Sequence, residues 1–174
     1  MIDTRLKMCM EMINGSGIVC DVGTDHAYLA AELILTGKCN KVIASDVKEG
    51  PLDAARRTVN KHKISDKVEL IISDGLKDVP LDGVSDVVIA GMGGETIAEI
   101  IENVDISNCK NIRWILQPMT KAEYLRKKLY EFNLKIVSEK IVEDGNRFYV
   151  IMCVEYNEEV QYLTEVESIL GFFD

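Results

Sequence analysis

Residues 18–28 of the chain, IVCDVGTDHAY, decide the fold class. The apolar run at 18–20 is typical of a short buried strand, and Asp21-Val22-Gly23 ends it. Gly23 lets the backbone turn sharply and leaves room for a ligand beside the helix that the pattern at 26–37 predicts. The stretch is not a Gly-x-Gly-x-x-Gly fingerprint, so it is poorly suited to the pyrophosphate of a dinucleotide. A strand, a glycine turn and a helix form the first unit of an α/β sheet.

The same unit recurs along the chain. Further apolar runs predict buried strands at 42–44, 68–72, 87–90 and 114–116. Helix-length segments lie near 26–37, 50–63, 94–103 and 120–132. Strands that alternate with helices at these lengths predict βαβ units around a parallel sheet, with helices on both faces.

The end of the chain has a different pattern. Two β-rich runs, 135–143 and 147–155, flank Asp144-Gly145-Asn146, which is a hairpin signal. A mostly parallel seven-stranded sheet closed by an antiparallel C-terminal hairpin is the Rossmann-like class I methyltransferase arrangement. We therefore expect an α/β fold in a single domain over residues 1–174. Helical spacing also predicts a cap helix at 3–14, within an N-terminal region 1–16, and a last helix at 159–172.

Composition limits the function classes. The 174 residues carry a formal charge of −9 and a pI near 4.8, which argues against binding nucleic acid over a wide surface. Basic clusters at 38–41, 56–63 and 121–128 are either local binding patches or solvated faces. Without a signal peptide or an apolar stretch of roughly 20 residues, we expect a cytoplasmic protein and no membrane partner. The five cysteines are scattered, so we expect neither disulfides nor a metal site.

Acidic residues follow three successive strands at the edge where α/β sheets bind ligands. Asp21 ends the first strand, Asp46 the second, and Asp74 with Gly75 the third. A carboxylate at 46 can accept hydrogen bonds from both ribose hydroxyls, and one at 74 can accept from an adenine amino group. Aspartate is also a frequent turn residue and helix cap, so each position alone is ambiguous. Together they favour an adenosine site, which S-adenosylmethionine would fit.

Two more segments meet the same edge. The fourth strand opens into Gly91-Met92-Gly93-Gly94, either a tight turn or the place where a substrate meets the methyl donor. Gln117 ends the fifth strand. Asp25 either caps the first sheet helix or stabilises charge at the reacting centre. His26 is either structural or a general base, and we expect it to line the site with Tyr28.

These motifs resemble a known family, the bacterial tRNA (adenine-22-N1)-methyltransferases. The segments that carry the resemblance are DVGTDHAYL at 21–29, Gly50-Pro51, Gly75-Leu76, IAGMGG at 89–94, LQP at 116–118 and Glu143-Asp144-Gly145. It extends from about Arg5 to about Gly171. It implies a class I fold that binds S-adenosylmethionine and methylates N1 of an adenine, with tRNA as the partner.

The resemblance also implies roles for individual residues. The donor site is expected at Asp21, Gly23, Thr24, Asp46, Asp74, Gly75 and Gly91. Asp25 and His26 match the motif beside the reactive centre. The substrate side is expected at Tyr28, Met92, Gly93, Gly94 and Gln117. Because adenine N1 carries no proton at neutral pH, it can attack the methyl group directly, and Asp25 is the first choice to stabilise the resulting cation.

Three features depart from the family pattern. Met119 follows Gln117-Pro118 where the family has asparagine, which removes an amide from the site. Asp46 stands where glutamate is frequent, and it offers the same chemistry on a shorter side chain. Family members continue into a C-terminal helical region implied to help bind tRNA, and the 174 residues end before it. We therefore expect any tRNA contacts made by that region to be missing from these residues.

Other functions stay open. The acidic pI favours a methyltransferase that acts on a small molecule or a protein. A non-catalytic module that binds S-adenosylmethionine or S-adenosylhomocysteine is a third interpretation. A dehydrogenase is least favoured, because the dinucleotide fingerprint is absent. The sequence leaves the oligomeric state open, a monomer included.

Overall fold

A computed structural model describes residues 2–159 and 162–172 and contains a seven-stranded sheet. Its strands are β1 (Ile18–Val22), β2 (Lys41–Asp46), β3 (Val68–Ile72), β4 (Val84–Met92), β5 (Arg113–Pro118), β6 (Leu134–Asp144) and β7 (Arg147–Tyr156). Their order across the sheet is β3-β2-β1-β4-β5-β7-β6. The first five are parallel to one another, and β7 is antiparallel to both β5 and β6. The predicted sheet and hairpin are confirmed.

The helices cover both faces of this sheet, as predicted. They are α1 (Thr4–Met12), α2 (Tyr28–Leu35), α3 (Glu49–Lys61), α4 (Gly94–Glu102), α5 (Ala122–Glu131) and α6 (Glu165–Leu170), with a 3₁₀ turn at Ile106–Asn108. Buried side chains of α1, α2 and α3 pack on one face, and those of α4 and α5 pack on the other. Each central strand contributes to both layers because its side chains alternate, so Val19 belongs to one layer and Cys20 to the other.

The start of α2 differs from the sequence expectation. The pattern predicts a helix from residue 26, whereas α2 begins at Tyr28. Asp25 and Ala27 have φ values of 51° and 55°, in the left-handed region that a helix cannot include. The Ala27 amide donates to the Thr24 carbonyl at 2.9 Å, so residues 24–27 form a turn. This turn has no glycine signal in the sequence, because its left-handed residues are Asp25 and Ala27.

The chain termini show one confirmed helix and one shorter one. The predicted helix at 3–14 is α1, and Asp3 caps it by accepting from the Leu6 amide at 2.8 Å. The last helix is predicted at 159–172 but begins after Thr164, which forms a capping box with Glu167. Residues 160 and 161 lie outside the described part of the chain. The predicted start of this helix is therefore wrong.

Helix α1 is fastened to the sheet by a carboxylate at the start of β4. The amides of Asn14 and Gly15 donate to the two oxygens of buried Asp86 at 2.7 and 2.9 Å. Cys9 and Ile13 bury the inner face of the helix against the sheet. These contacts hold the C-terminal end of α1 against the start of β4 and its inner face against the sheet.

Two further expectations concern cysteines and membranes. All five cysteines are free and buried, in agreement with their scattered positions. Among the residues that the structure describes, no helix has the length and apolar character needed to cross a membrane.

Candidate functional site

Two neighbouring cavities lie at the carboxyl ends of the parallel strands. The first, of about 340 Å³, is lined by residues that include Val22, Val47, Asp74, Gly75, Met92 and Ile100. The second, of about 270 Å³, is lined by residues that include Arg5, Asp21, Gly23, Thr24, Asp25, His26, Tyr28 and Gly91. The Met92 side chain packs on Gly23, so the two cavities adjoin there. Most residues predicted from the sequence therefore meet at one edge of the sheet.

Gly23 shapes the junction between the cavities. Its φ is +74°, and an added Cβ would lie 2.2 Å from Cε of Met92. The amides of Gly23 and Thr24 donate to the Ser45 carbonyl at 2.8 and 2.9 Å, which fixes the turn to β2. Only glycine satisfies both the backbone conformation and the available space.

Asp21 presents a buried carboxylate to the second cavity. Thr24 Oγ1 donates to Asp21 Oδ2 at 2.7 Å. Burial raises the pKa of Asp21 to about 6, the Thr24 hydrogen bond opposes the rise, and the charge of Asp46 adds to it. A cationic ligand group beside Asp21 would reverse this shift and keep the carboxylate ionised. The arrangement suits an ammonium group.

Asp25, His26 and Tyr28 form the mouth of the second cavity. The Asp25 side chain is 72% exposed, and its Oδ2 lies 3.6 Å from Nε2 of His26. The His26 ring stacks on Tyr28 with centroids 5.2 Å apart and planes 8° from parallel. Ala27 occupies the N-cap position of α2 without a side-chain hydrogen bond, so the interpretation of Asp25 as the cap is wrong. The carboxylate faces solvent at the cavity instead.

The left-handed conformation of Asp25 and Ala27 is a second feature of this mouth. Non-glycine residues adopt positive φ at a cost of about 1–2 kcal/mol each. Such strained positions concentrate at functional sites, where the surrounding structure enforces them.

The first cavity combines an acidic rim with apolar walls. Asp74 lines it and forms an ion pair with Lys77, while Val47 and Ile100 provide apolar surface. Asp46 is half-buried at the end of β2, beside Val47, and its Oδ1 accepts from the Lys48 amide at 3.0 Å. A flat base with an exocyclic amino group fits such a cavity, because its faces need apolar contacts and its edge needs an acceptor.

Glycines 75, 93 and 94 have separate roles. At Gly75, where φ is +62°, a Cβ would lie 3.0 Å from Ile100 in the first cavity. Gly93 is the N-cap residue of α4. Gly94 is buried, and a Cβ there would lie 2.4 Å from the Lys121 carbonyl. The packing of the β4 and β5 loops therefore explains Gly94 without a substrate, as the tight-turn interpretation expects.

Gln117 lies inside the protein rather than facing a substrate. Its side chain has no exposed surface. Its Oε1 accepts from Arg5 Nη1 at 2.6 Å and from the Gly91 amide at 3.0 Å, and its Nε2 donates to the Pro118 carbonyl at 2.8 Å. The predicted contact of this amide with substrate is corrected accordingly, because its hydrogen-bonding groups are engaged within the protein.

Arg5 is one of the cavity-lining residues that the sequence did not predict. It lines the second cavity and reaches it from the first turn of α1. The one local signal is its position, because a cation in the first turn of a helix opposes the helix dipole. Within the described ranges 2–159 and 162–172, no group of three or more His, Cys, Asp or Glu could hold a metal ion.

Comparison with known proteins assigns the family. A family model described as a methyltransferase domain matches residues 2–152. The chain belongs to this family of methyltransferase domains. The tRNA (adenine(22)-N(1))-methyltransferase of Bacillus subtilis is 31% identical over 154 residues, which are 88% of this chain and 65% of that protein. The chain thus spans slightly less than two thirds of that relative.

Solved structures agree with this assignment of a methyltransferase domain. A Streptococcus pneumoniae protein in complex with S-adenosyl-L-methionine is 36% identical with a TM-score of 0.92, covering 99% of this chain and 80% of that one. The M. capricolum protein TrmK, in complex with S-adenosyl-homocysteine, is 29% identical with a TM-score of 0.87, covering 99% of this chain and 76% of that one. The resemblance that the motifs indicated is confirmed.

Proposed function

We propose that this methyltransferase domain transfers a methyl group from S-adenosylmethionine to N1 of an adenine in tRNA, at adenine 22. The observation that carries the proposal is the pair of adjoining cavities at the ends of β1 and β4, one lined by Asp74 and the other by Asp21. Relatives with this fold are named as tRNA (adenine(22)-N1)-methyltransferases or are bound to the methyl donor or its product. A tRNA substrate also favours a cytoplasmic location.

The residues present fit the donor. Asp74, with the apolar walls of the first cavity, would hold the adenine, and Asp46 would accept hydrogen bonds from the ribose. The turn at Gly23 leaves the backbone close to the junction of the two cavities. Asp21, in the second cavity, would bind the ammonium group. When bound, S-adenosylmethionine supplies a methyl group on a sulfonium centre.

The mouth of the second cavity fits the acceptor base. The stacked rings of His26 and Tyr28 offer a flat surface on which a base extruded from the RNA can stack. N1 of adenine needs no general base, and its methylation makes the base cationic. Asp25 lies beside this ring pair, so its carboxylate would stabilise the developing charge. In this proposal His26 positions the base and Asp25.

Titration with S-adenosylhomocysteine tests the donor site. We expect micromolar binding by the wild-type chain and a loss of at least about tenfold for Asp46→Ala, because a hydrogen-bonding carboxylate is removed from the ribose position. Asp66→Ala is the matched control, since Asp66 is an exposed aspartate before β3, at the opposite edge of the sheet. The absence of binding by the wild-type chain would refute the proposed function.

A methylation assay tests the acceptor. The chain is incubated with unmodified tRNA and the methyl donor, and the nucleosides are analysed by mass spectrometry. We expect 1-methyladenosine at position 22. A tRNA that carries another base at this position should not gain it. Donor binding without any tRNA methylation would refute the acceptor and retain the donor site.

One observation favours a different acceptor. The net charge is −9, and several basic side chains are engaged with acidic ones, among them Lys77, Lys121 and Lys128. A small molecule or a protein would not need the broad positive surface that tRNA favours. Competition of tRNA against such acceptors in the same assay distinguishes the two.

A further inference from the structure

Arg5 is held rigidly in the wall of the second cavity. Its side chain is only 17% exposed, and Nη1 donates to Gln117 Oε1 at 2.6 Å. Its Nη2 pairs with Asp3 at 3.1 Å, and the guanidinium lies 5.9 Å from the centre of the Tyr149 ring. These contacts on three sides fix the direction of the guanidinium. An arginine held in this way is pre-organised for a ligand and loses little entropy on binding one.

The partner that holds Arg5 is itself immobile. Gln117 is buried in β5, and its oxygen also accepts from the Gly91 amide at the end of β4. A Cβ at Gly91 would lie 3.3 Å from Arg5 Nη1, so the glycine leaves the space that the guanidinium occupies. The strands therefore place a permanent cation at the cavity. A contact between Arg5 and Gln117 that served only to hold α1 on the sheet would not need to place the guanidinium in the wall of a cavity.

The second cavity then contains charges of both signs. Asp21 provides a buried carboxylate and Arg5 a guanidinium, and both line the same space. A ligand with adjacent ammonium and carboxylate groups matches this pair. The amino-acid end of the methyl donor is such a zwitterion, and its carboxylate is the one anionic group that the donor carries.

We infer that Arg5 binds the α-carboxylate of the methyl donor, opposite the ammonium group held by Asp21. The inference rests on the proposed function, because it assigns a part of the donor site. Gln117 then acts as a positioning residue, which reaches the ligand through Arg5. The inference also explains why the buried Gln117 side chain in β5 accepts a hydrogen bond from Arg5 in α1, which is far from it in the sequence.

The test compares two ligands that differ only in the carboxylate. Binding of S-adenosylhomocysteine and of its decarboxylated analogue is measured by calorimetry for the wild type and for Arg5→Ala. We expect Arg5→Ala to weaken S-adenosylhomocysteine by at least about 20-fold and the analogue by less than about twofold, because charge-assisted arginine–carboxylate bonds are strong. Lys7→Ala, an exposed cation on the same helix, should change neither value.

A second variant guards against misfolding of Arg5→Ala, which thermal denaturation would reveal. Arg5→Lys keeps a cation without the planar fork, and we expect an intermediate loss, about three- to tenfold, for S-adenosylhomocysteine only. Equal losses for the two ligands, or no loss for either, would overturn the inference while leaving the donor site in place. Failure of the wild-type chain to bind S-adenosylhomocysteine would instead overturn the proposed function, and this inference with it.

Discussion

Replacing Gly23 by alanine tests two effects: the cost of a left-handed backbone at this position, and the loss of the space that glycine leaves for a ligand. The φ of Gly23 is +74°, and an added Cβ would lie 2.2 Å from Cε of Met92. The left-handed conformation alone costs an alanine about 1 kcal/mol. The collision adds up to about 1 kcal/mol more, because the flexible Met92 thioether can rotate away at a modest cost.

Gly37 is the matched control for this substitution. Its φ is +70°, and nothing lies within 4 Å of an added Cβ. Gly37→Ala should therefore lower the free energy of unfolding only by the cost of the left-handed backbone, about 1 kcal/mol, or roughly 2–4 °C in Tm for a chain of this size. Gly23→Ala should lower the free energy of unfolding by up to about twice as much. Thermal denaturation followed by circular dichroism measures both variants.

The two variants should differ most in donor binding. The new Cβ and the displaced Met92 side chain enter the space where the cavities adjoin, so we expect Gly23→Ala to bind S-adenosylhomocysteine at least about tenfold more weakly. Gly37→Ala should bind normally, and Met92→Ala should restore part of the affinity in the Gly23→Ala background. An alanine at position 23 that binds with wild-type affinity would refute the placement of the donor at this junction.

Two further predictions concern the carboxylates of the second cavity. Asp25→Asn should lower the methylation rate by about 10- to 100-fold without changing the affinity for S-adenosylhomocysteine. Asp66→Asn is its control, and an unchanged rate in Asp25→Asn would exclude the proposed role. Burial raises the pKa of Asp21 from 3.8 to about 6, so its contribution to stability is present below about pH 4 and is lost as the pH rises through 6. Asp21→Asn should therefore raise the Tm of the ligand-free chain at about pH 8, and a lower Tm there would contradict this reasoning.

The sequence predicted the sheet because each strand carries its own signal. Apolar runs that end in aspartate or glycine located β1 to β4, and a run that ends at Gln117 located β5. Asp144-Gly145-Asn146 located the hairpin, in which Asp144 pairs directly with Arg147. Asp46 and Asp74 were placed at the same edge by the same argument, since parallel strands end on one side. These features depend on local pattern and on the rules of sheet topology.

The remaining features depend on contacts between distant parts of the chain. Arg5 and Gln117 are 112 residues apart in sequence, so no local pattern links them. The turn before α2 depends on left-handed Asp25 and Ala27, which are not the glycine that usually marks this conformation. The sequence therefore located the strand ends and missed both the cation at the cavity and the helix start.

The hydrogen bond between Arg5 and Gln117 has a consequence for synthesis on the ribosome. The chain emerges from its N-terminus, and α1 packs on β5, β6 and β7, which are made last among the strands. The bond that fixes Arg5 must wait for more than half of the chain before it can form, because Gln117 lies 112 residues beyond Arg5. Nascent chains shorter than this can form β1 to β4, yet they lack the guanidinium at the second cavity. Premature termination therefore yields fragments without the cation that we infer to bind the carboxylate of the methyl donor.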